Sequence, residues 1–128
     1  MLLLRPLVYL FQTKKSMIVQ RLKKVSLKED EIARRYYAIL STLNDFQLTE
    51  REVQLMGFIA TAGSISISEK RQDFCNKFKT TSATVNNMVS KLKRKQLLVK
   101  KDGHIVVNPI ISLDFKKDLQ LEVKLLHG

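Results

Sequence analysis

Residues Thr81 to Pro109 read TSATVNNMVSKLKRKQLLVKKDGHIVVNP, and the period of their apolar positions changes partway along. Val85, Met88, Val89 and Leu92 recur at i, i+3, i+4 and i+7, which is one face of an α-helix, and Thr81 or Ser82 can cap its start. After Gln96 the pattern becomes strand-like, with LLVK and HIVV on either side of KDG. Asp-Gly between β-rich runs predicts a hairpin, because Gly103 can take the positive φ that the turn requires.

Upstream the punctuation is equally local. Ser26 followed by Glu29 has the spacing of a capping box, and Ile32, Tyr36, Ile39, Leu40 and Leu43 then recur at helical spacing, so a helix is expected from about Leu27 to Asn44. Thr49 and Glu52 form a second such pair at the head of LTEREVQLMGFIATAG, where Val53, Met56 or Gly57 and Ala60 make the buried stripe and Gly63 the stop. SISIS reads as a very short strand, and Ser68 can cap a helix from about Glu69 to Phe78 with Phe74, Cys75 and Phe78 as its apolar face. MIVQRLKKV, Met17 to Val25, suits helix and strand about equally. At the far end Leu119, Leu121, Val123 and Leu125 alternate with polar residues, which predicts one more half-buried strand, paired with an N-terminal one. Helix, short strand, helix, turn, helix, hairpin is the order of a winged helix-turn-helix.

At 128 residues with 45% hydrophobic content the chain suits one domain with a modest core. The net charge of +11 favours a polyanionic partner, and its distribution is uneven. From Lys70 to Lys101 ten basic residues face Asp73 alone, which places +9 of that +11 in a quarter of the chain. A single cysteine, Cys75, allows no internal disulfide and reads as a buried small hydrophobe in a reducing compartment; with only His104 and His127 besides, no zinc set can be assembled. The apolar opening MLLLRPLVYLF has no basic segment ahead of it, contains Pro6, and falls far short of the roughly 20 residues that span a bilayer, so a strand or docking segment is expected there and no membrane role. A Gly-rich phosphate loop, a nucleophile elbow and a His–carboxylate pair are all missing from the sequence, so the expectation is a non-enzymatic protein with no catalytic residues, cofactor or metal.

On the helix from Ser82, the face opposite the apolar stripe carries Ala83, Asn86, Asn87, Ser90 and Arg94, with Thr84 and Lys91 on its flanks. These residue types read base edges: asparagine can pair with adenine, threonine can meet the thymine methyl, and small residues let a helix sit deep in the major groove. Ser82, Thr84, Asn86, Asn87 and Ser90 are therefore candidates for base reading. Lys70, Arg71, Lys77, Lys79, Lys91, Lys93, Arg94 and Lys95 are candidates for phosphate contact, and Lys100, Lys101, Gly103 and His104 form the expected wing. The alternative is a solvated helix face beside a solubilising turn, although such a face more often mixes glutamate with lysine.

The segment from Leu48 to Pro109, LTEREVQLMGFIATAG through TTSATVNNMVSKLKRKQLLVKKDGHIVVNP, resembles the winged-helix core of the multiple-antibiotic-resistance regulator (MarR) family. Its closing VVNP, Val106 to Pro109, is also similar to the end of the winged domain in RepL-type plasmid replication initiators. Both families bind double-stranded DNA through the helix matching Ser82 to Lys95, and the resemblance assigns that role to Ser82, Thr84, Asn86, Asn87 and Ser90. The tail after Pro109 is short, unlike the long terminal helices through which MarR-like proteins dimerise.

The expectation is thus a single α+β domain over 1–128, with a winged helix-turn-helix core and additional N- and C-terminal strands. It divides into an N-terminal strand or docking segment (1–25), a leading helix (26–47), the winged core (48–109) and a C-terminal strand (110–128). The implied partner is double-stranded DNA, in transcription regulation or replication initiation on a phage or plasmid genome, in the cytoplasm. The rival is a structural or assembly protein, such as a virion component, that uses the winged helix and terminal strands to contact other chains, either as a homo-oligomer or in a larger assembly.

Overall fold

A computed structural model describes residues 26–128. The expected N-terminal strand or docking segment lies outside the described residues, as does the ambiguous stretch Met17 to Val25. What is described is α+β: four α-helices and a two-stranded antiparallel sheet.

Helix α1, Glu29–Asn44, opens on three acids, Glu29, Asp30 and Glu31, which suit the positive end of the helix dipole. The Lys28 amide donates to the Glu31 carboxylate, so the cap sits two residues beyond the expected Ser26. Asp45, left-handed at φ 55°, ends the helix. Helix α2, Glu50–Ala62, starts at the Thr49–Glu52 capping box: the Glu52 amide donates to Thr49 Oγ1 at 3.2 Å and the Thr49 amide to Glu52 Oε1 at 2.8 Å. α1 and α2 cross closely at Gly57, where a Cβ would lie 3.2 Å from the Arg34 backbone nitrogen. Gly63, at φ 97°, closes α2.

SISIS does not form the expected strand. The Ile65 amide donates to the Ile105 carbonyl at 3.2 Å, but the Ile105 amide donates to the Ser66 hydroxyl instead of to a carbonyl. A side chain has taken the place of the next rung, and the sheet stays two-stranded. Helix α3, Ser68–Phe78, follows from an Ile67 N-cap, one residue earlier than the expected Ser68 cap, and Lys79 at φ 53° ends it. Helix α4, Ser82–Arg94, is capped by Thr81, whose Oγ1 accepts from the Thr84 amide at 3.2 Å. Val85, Met88, Val89 and Leu92 are its buried face, as the spacing predicts.

Strands β1, Leu98–Lys101, and β2, His104–Val107, pair in register from Leu98–Val107 to Lys101–His104. Asp102 (φ 51°) and Gly103 (φ 80°) are both left-handed, which gives the two-residue turn that Asp-Gly predicts.

The expected C-terminal strand is not formed. Pro109–Ile111 is a 3-10 turn capped by Asn108, and beyond it the described residues hold no further strand. The tail instead folds back on α1. Phe115 is buried against Tyr36 and Tyr37, with ring centroids 5.6 and 5.7 Å away, and the Tyr37 hydroxyl donates to the Ile111 carbonyl at 2.8 Å. Alternation needs a strand edge beside it to become a ladder; here Phe115 is buried and Leu119 half-buried, while Leu121, Val123 and Leu125 stay exposed.

Candidate nucleic-acid interface

The core that buries Val85, Met88, Val89 and Leu92 turns the rest of α4 to solvent. Ser82, Ala83, Thr84, Asn86, Asn87, Ser90, Lys93 and Arg94 are all exposed. Asn87 and Ser90 lie near the middle of this face, as helical spacing requires of positions opposite Val85 and Val89. The two edges are pinned to neighbouring helices by polar contacts.

On the α2 side, Lys91 Nζ lies 3.1 Å from Glu52 Oε2, and the Glu52 side chain is only 3% exposed. Glu52 thus closes its own helix cap and holds α4 in place. Burial raises its pKa, but the Thr49 amide and Lys91 together outweigh that and leave the carboxyl below its ordinary value. On the α3 side, Arg71 donates through Nε to the Ile65 carbonyl at 2.9 Å and through its guanidinium to Oδ1 of Asn86. The Thr84 hydroxyl is drawn into the helix cap, 3.0 Å from Thr81 Oγ1.

Several of the cations expected at phosphates have partners inside the protein. Lys70 donates to the Ala62 carbonyl at 2.6 Å at the end of α2, Lys95 to the Phe46 carbonyl at 2.5 Å, and Lys77 pairs with Asp30 at 3.0 Å, which lowers the pKa of Asp30. Arg51, which the sequence reading passed over, does the same for the last carbonyl of α3, donating to Phe78 at 2.6 Å. Helix ends leave carbonyls without intrahelical partners, and here cations supply them. The side chains of Lys79, Lys93, Arg94, Lys100 and Lys101 have no hydrogen-bond or ion-pair partner among the described residues, and all five residues are exposed. His104, Asp102 and Lys101 line a groove of about 400 Å³ with Lys70 and Gly63, so the hairpin turn lies beside the α2–α3 connection. Cys75 is buried, as expected of a small hydrophobe.

The arrangement offers hydrogen-bond donors and acceptors on a convex helix face, with unpaired cations at the end of that helix, at the turn before it and on the hairpin. Among the described residues no group of three or more His, Cys, Asp or Glu side chains comes together as a metal site, and no helix is long and apolar enough to cross a membrane. The chain matches no protein-family model, no curated protein and no solved structure.

Proposed function

We propose that the chain is a winged helix-turn-helix protein that binds double-stranded DNA, with α3 and α4 as the helix-turn-helix, α4 in the major groove and the β1–β2 turn as the wing, and that it regulates transcription or initiates replication without a cofactor. The observation that carries this is the exposed face of α4. Its first turns present neutral hydrogen-bonding side chains, Ser82, Asn86, Asn87 and Ser90, and its last turn presents the unpaired cations Lys93 and Arg94. Neutral amides and hydroxyls suit base edges, whereas cations suit the backbone that borders the groove. Lys79 before the helix, and Lys100 and Lys101 on the wing, supply further phosphate contacts. The Lys91–Glu52 pair and the Arg71 contacts hold the face in one orientation, which lowers the ordering cost of binding.

The test is a titration of labelled protein with random duplex, followed by amide NMR. Shifts concentrated at Lys79 to Arg94 and at Lys100 to His104 support the proposal. Shifts confined to α1 and the tail oppose it.

A second reading, assembly with another protein, is favoured by one observation. A groove of about 470 Å³ runs between α1 and the tail, lined by Leu27, Ile32, Tyr36, Ile39, Leu119 and Leu121 together with Ser26, Arg35 and Asp118, and Ile39 stays 41% exposed in it. If that face drives assembly, Ile39→Asp lowers the mass measured by light scattering and leaves DNA affinity unchanged.

A further inference from the structure

The outer stripe of α1 carries a spacing that its own core does not use. Ile32, Tyr36, Ile39 and Leu43 fall alternately four and three residues apart, which is the pattern of a seam between two helices. Ala33, Tyr37 and Ser41, the buried face of α1, lie beside this stripe and not on it. Ile32 and Tyr36 are half-buried where they line the groove, whereas Ile39 and Leu43 are 41% and 53% exposed. The two flanks of the stripe are unlike. At about 100° per residue, Tyr37 and Arg35 stand on opposite sides of it. The tail lies along the Tyr37 side: the Tyr37 hydroxyl donates to the Ile111 carbonyl, Phe115 packs on the Tyr37 ring, and Asp118 lines the groove from there. Arg35 lines the same groove from the other side. Both residues are exposed, and among the described residues neither side chain has a hydrogen-bond or ion-pair partner.

Resting on the assembly reading above, we infer that the partner of this face is a second copy of the chain, its α1 packed parallel to the first about a two-fold axis, with Ile32, Tyr36, Ile39 and Leu43 as the seam and Arg35 of each copy meeting Asp118 of the other. The direction follows from the charges. In a parallel pair each flank meets the unlike flank of the other helix, so arginine faces carboxylate twice; in an antiparallel pair like flanks meet, and the two arginines face each other. A face that carries its own counter-charge is self-complementary, which a two-fold contact requires and an unrelated partner does not. One helix of 16 residues, about 24 Å long, is too small for the roughly 800 Å² per copy of a stable interface, and the tail contributes the remainder through Leu121, which is exposed in the groove.

The experiment is sedimentation velocity on the full chain over a concentration series. It is run on wild type, Arg35→Glu, Asp118→Arg, the Arg35→Glu/Asp118→Arg double variant, an equimolar mixture of the two single variants, and Ile39→Asp, with far-UV circular dichroism on each. Wild type dimerises reversibly. Each single reversal turns two attractive contacts into two repulsive ones and raises the dimer Kd by roughly thirtyfold. The mixture returns to within roughly threefold of the wild-type Kd, because across two different chains both contacts are again between unlike charges, and the double variant recovers in the same way. A pair formed within one chain is restored in the double variant and not in the mixture, so a mixture that stays monomeric overturns the inference. Should either reversal fail to fold, Arg35→Ala and Asp118→Ala replace them, and losses that simply add in their double variant overturn it equally. Wild-type assembly that Ile39→Asp abolishes and the reversals leave untouched overturns the pairing and leaves the assembly face standing, whereas a wild type that is monomeric at every concentration up to about 100 µM overturns both.

Discussion

Lys91→Met separates a lysine that builds the site from one that touches DNA. Lys91 reaches Glu52 at 3.1 Å, and the Glu52 side chain is nearly inaccessible, so removing the ammonium leaves a buried carboxylate with Thr49 alone to satisfy it. Breaking a fully buried pair costs about 3–5 kcal/mol, whereas exposed pairs contribute about 0.2–1 kcal/mol. The lysine end is 43% exposed, which puts the expected cost between these, at about 1–2 kcal/mol, or a Tm lowered by roughly 5–10 °C. The pH dependence carries the sign. Glu52 has a folded pKa below its ordinary value, so its contribution is present above the unfolded value and is lost as pH falls through the folded one. The gap in Tm between wild type and Lys91→Met is therefore widest near neutral pH and narrows in acid, because both proteins then carry a protonated Glu52. Differential scanning calorimetry across that range reads the gap directly. The same variant leaves the salt dependence of DNA binding nearly unchanged, because the charge removed faces Glu52 and not a phosphate. A variant as stable as wild type with a salt slope shallower by about one would refute this, and would place Lys91 on the DNA backbone.

Three further outcomes are expected. Asn87→Ala costs about 1–3 kcal/mol on the preferred duplex and little on random DNA, whereas Lys93→Ala weakens both alike and reduces the salt slope by about one; equal losses on both targets for both variants mark a non-specific binder, and anisotropy titrations measure this. Gly57→Ala lowers stability by about 1–3 kcal/mol in chemical denaturation, because the new Cβ would press on the Arg34 backbone at 3.2 Å where α1 and α2 cross. Tyr37→Phe removes the donor to Ile111 and costs about 1 kcal/mol, and limited proteolysis then cuts the tail after Ile111 sooner than in wild type.

The elements that the sequence made legible are those whose cause is local. The Thr49–Glu52 box, the Val85–Met88–Val89–Leu92 stripe and the Asp102–Gly103 turn each depend on residues within one or two turns of chain, and each stands where the pattern puts it. Ser26 lost the cap of α1 because Glu29, Asp30 and Glu31 offer three competing acids, and Glu31 is the one that reaches a preceding amide. The strands expected at SISIS and in the tail failed for another reason: a strand exists only with a partner, and period-2 spacing says nothing about whether an edge is free. At the candidate interface the sequence supplied the exposed face of α4 and the cations around it. It could not show which cations are engaged, since Lys91 meets Glu52, Lys95 meets Phe46 and Arg71 meets Asn86 only once the helices have packed.

DNA binding itself is tested most directly by fluorescence anisotropy of a random duplex titrated at several salt concentrations. Five cations, Lys79, Lys93, Arg94, Lys100 and Lys101, are exposed and unpaired among the described residues, and each phosphate they neutralise releases condensed counterion. The predicted result is binding whose log affinity falls against log salt with a slope of about −4 to −5. No detectable binding at about 50 mM salt, or a slope near zero, would contradict it.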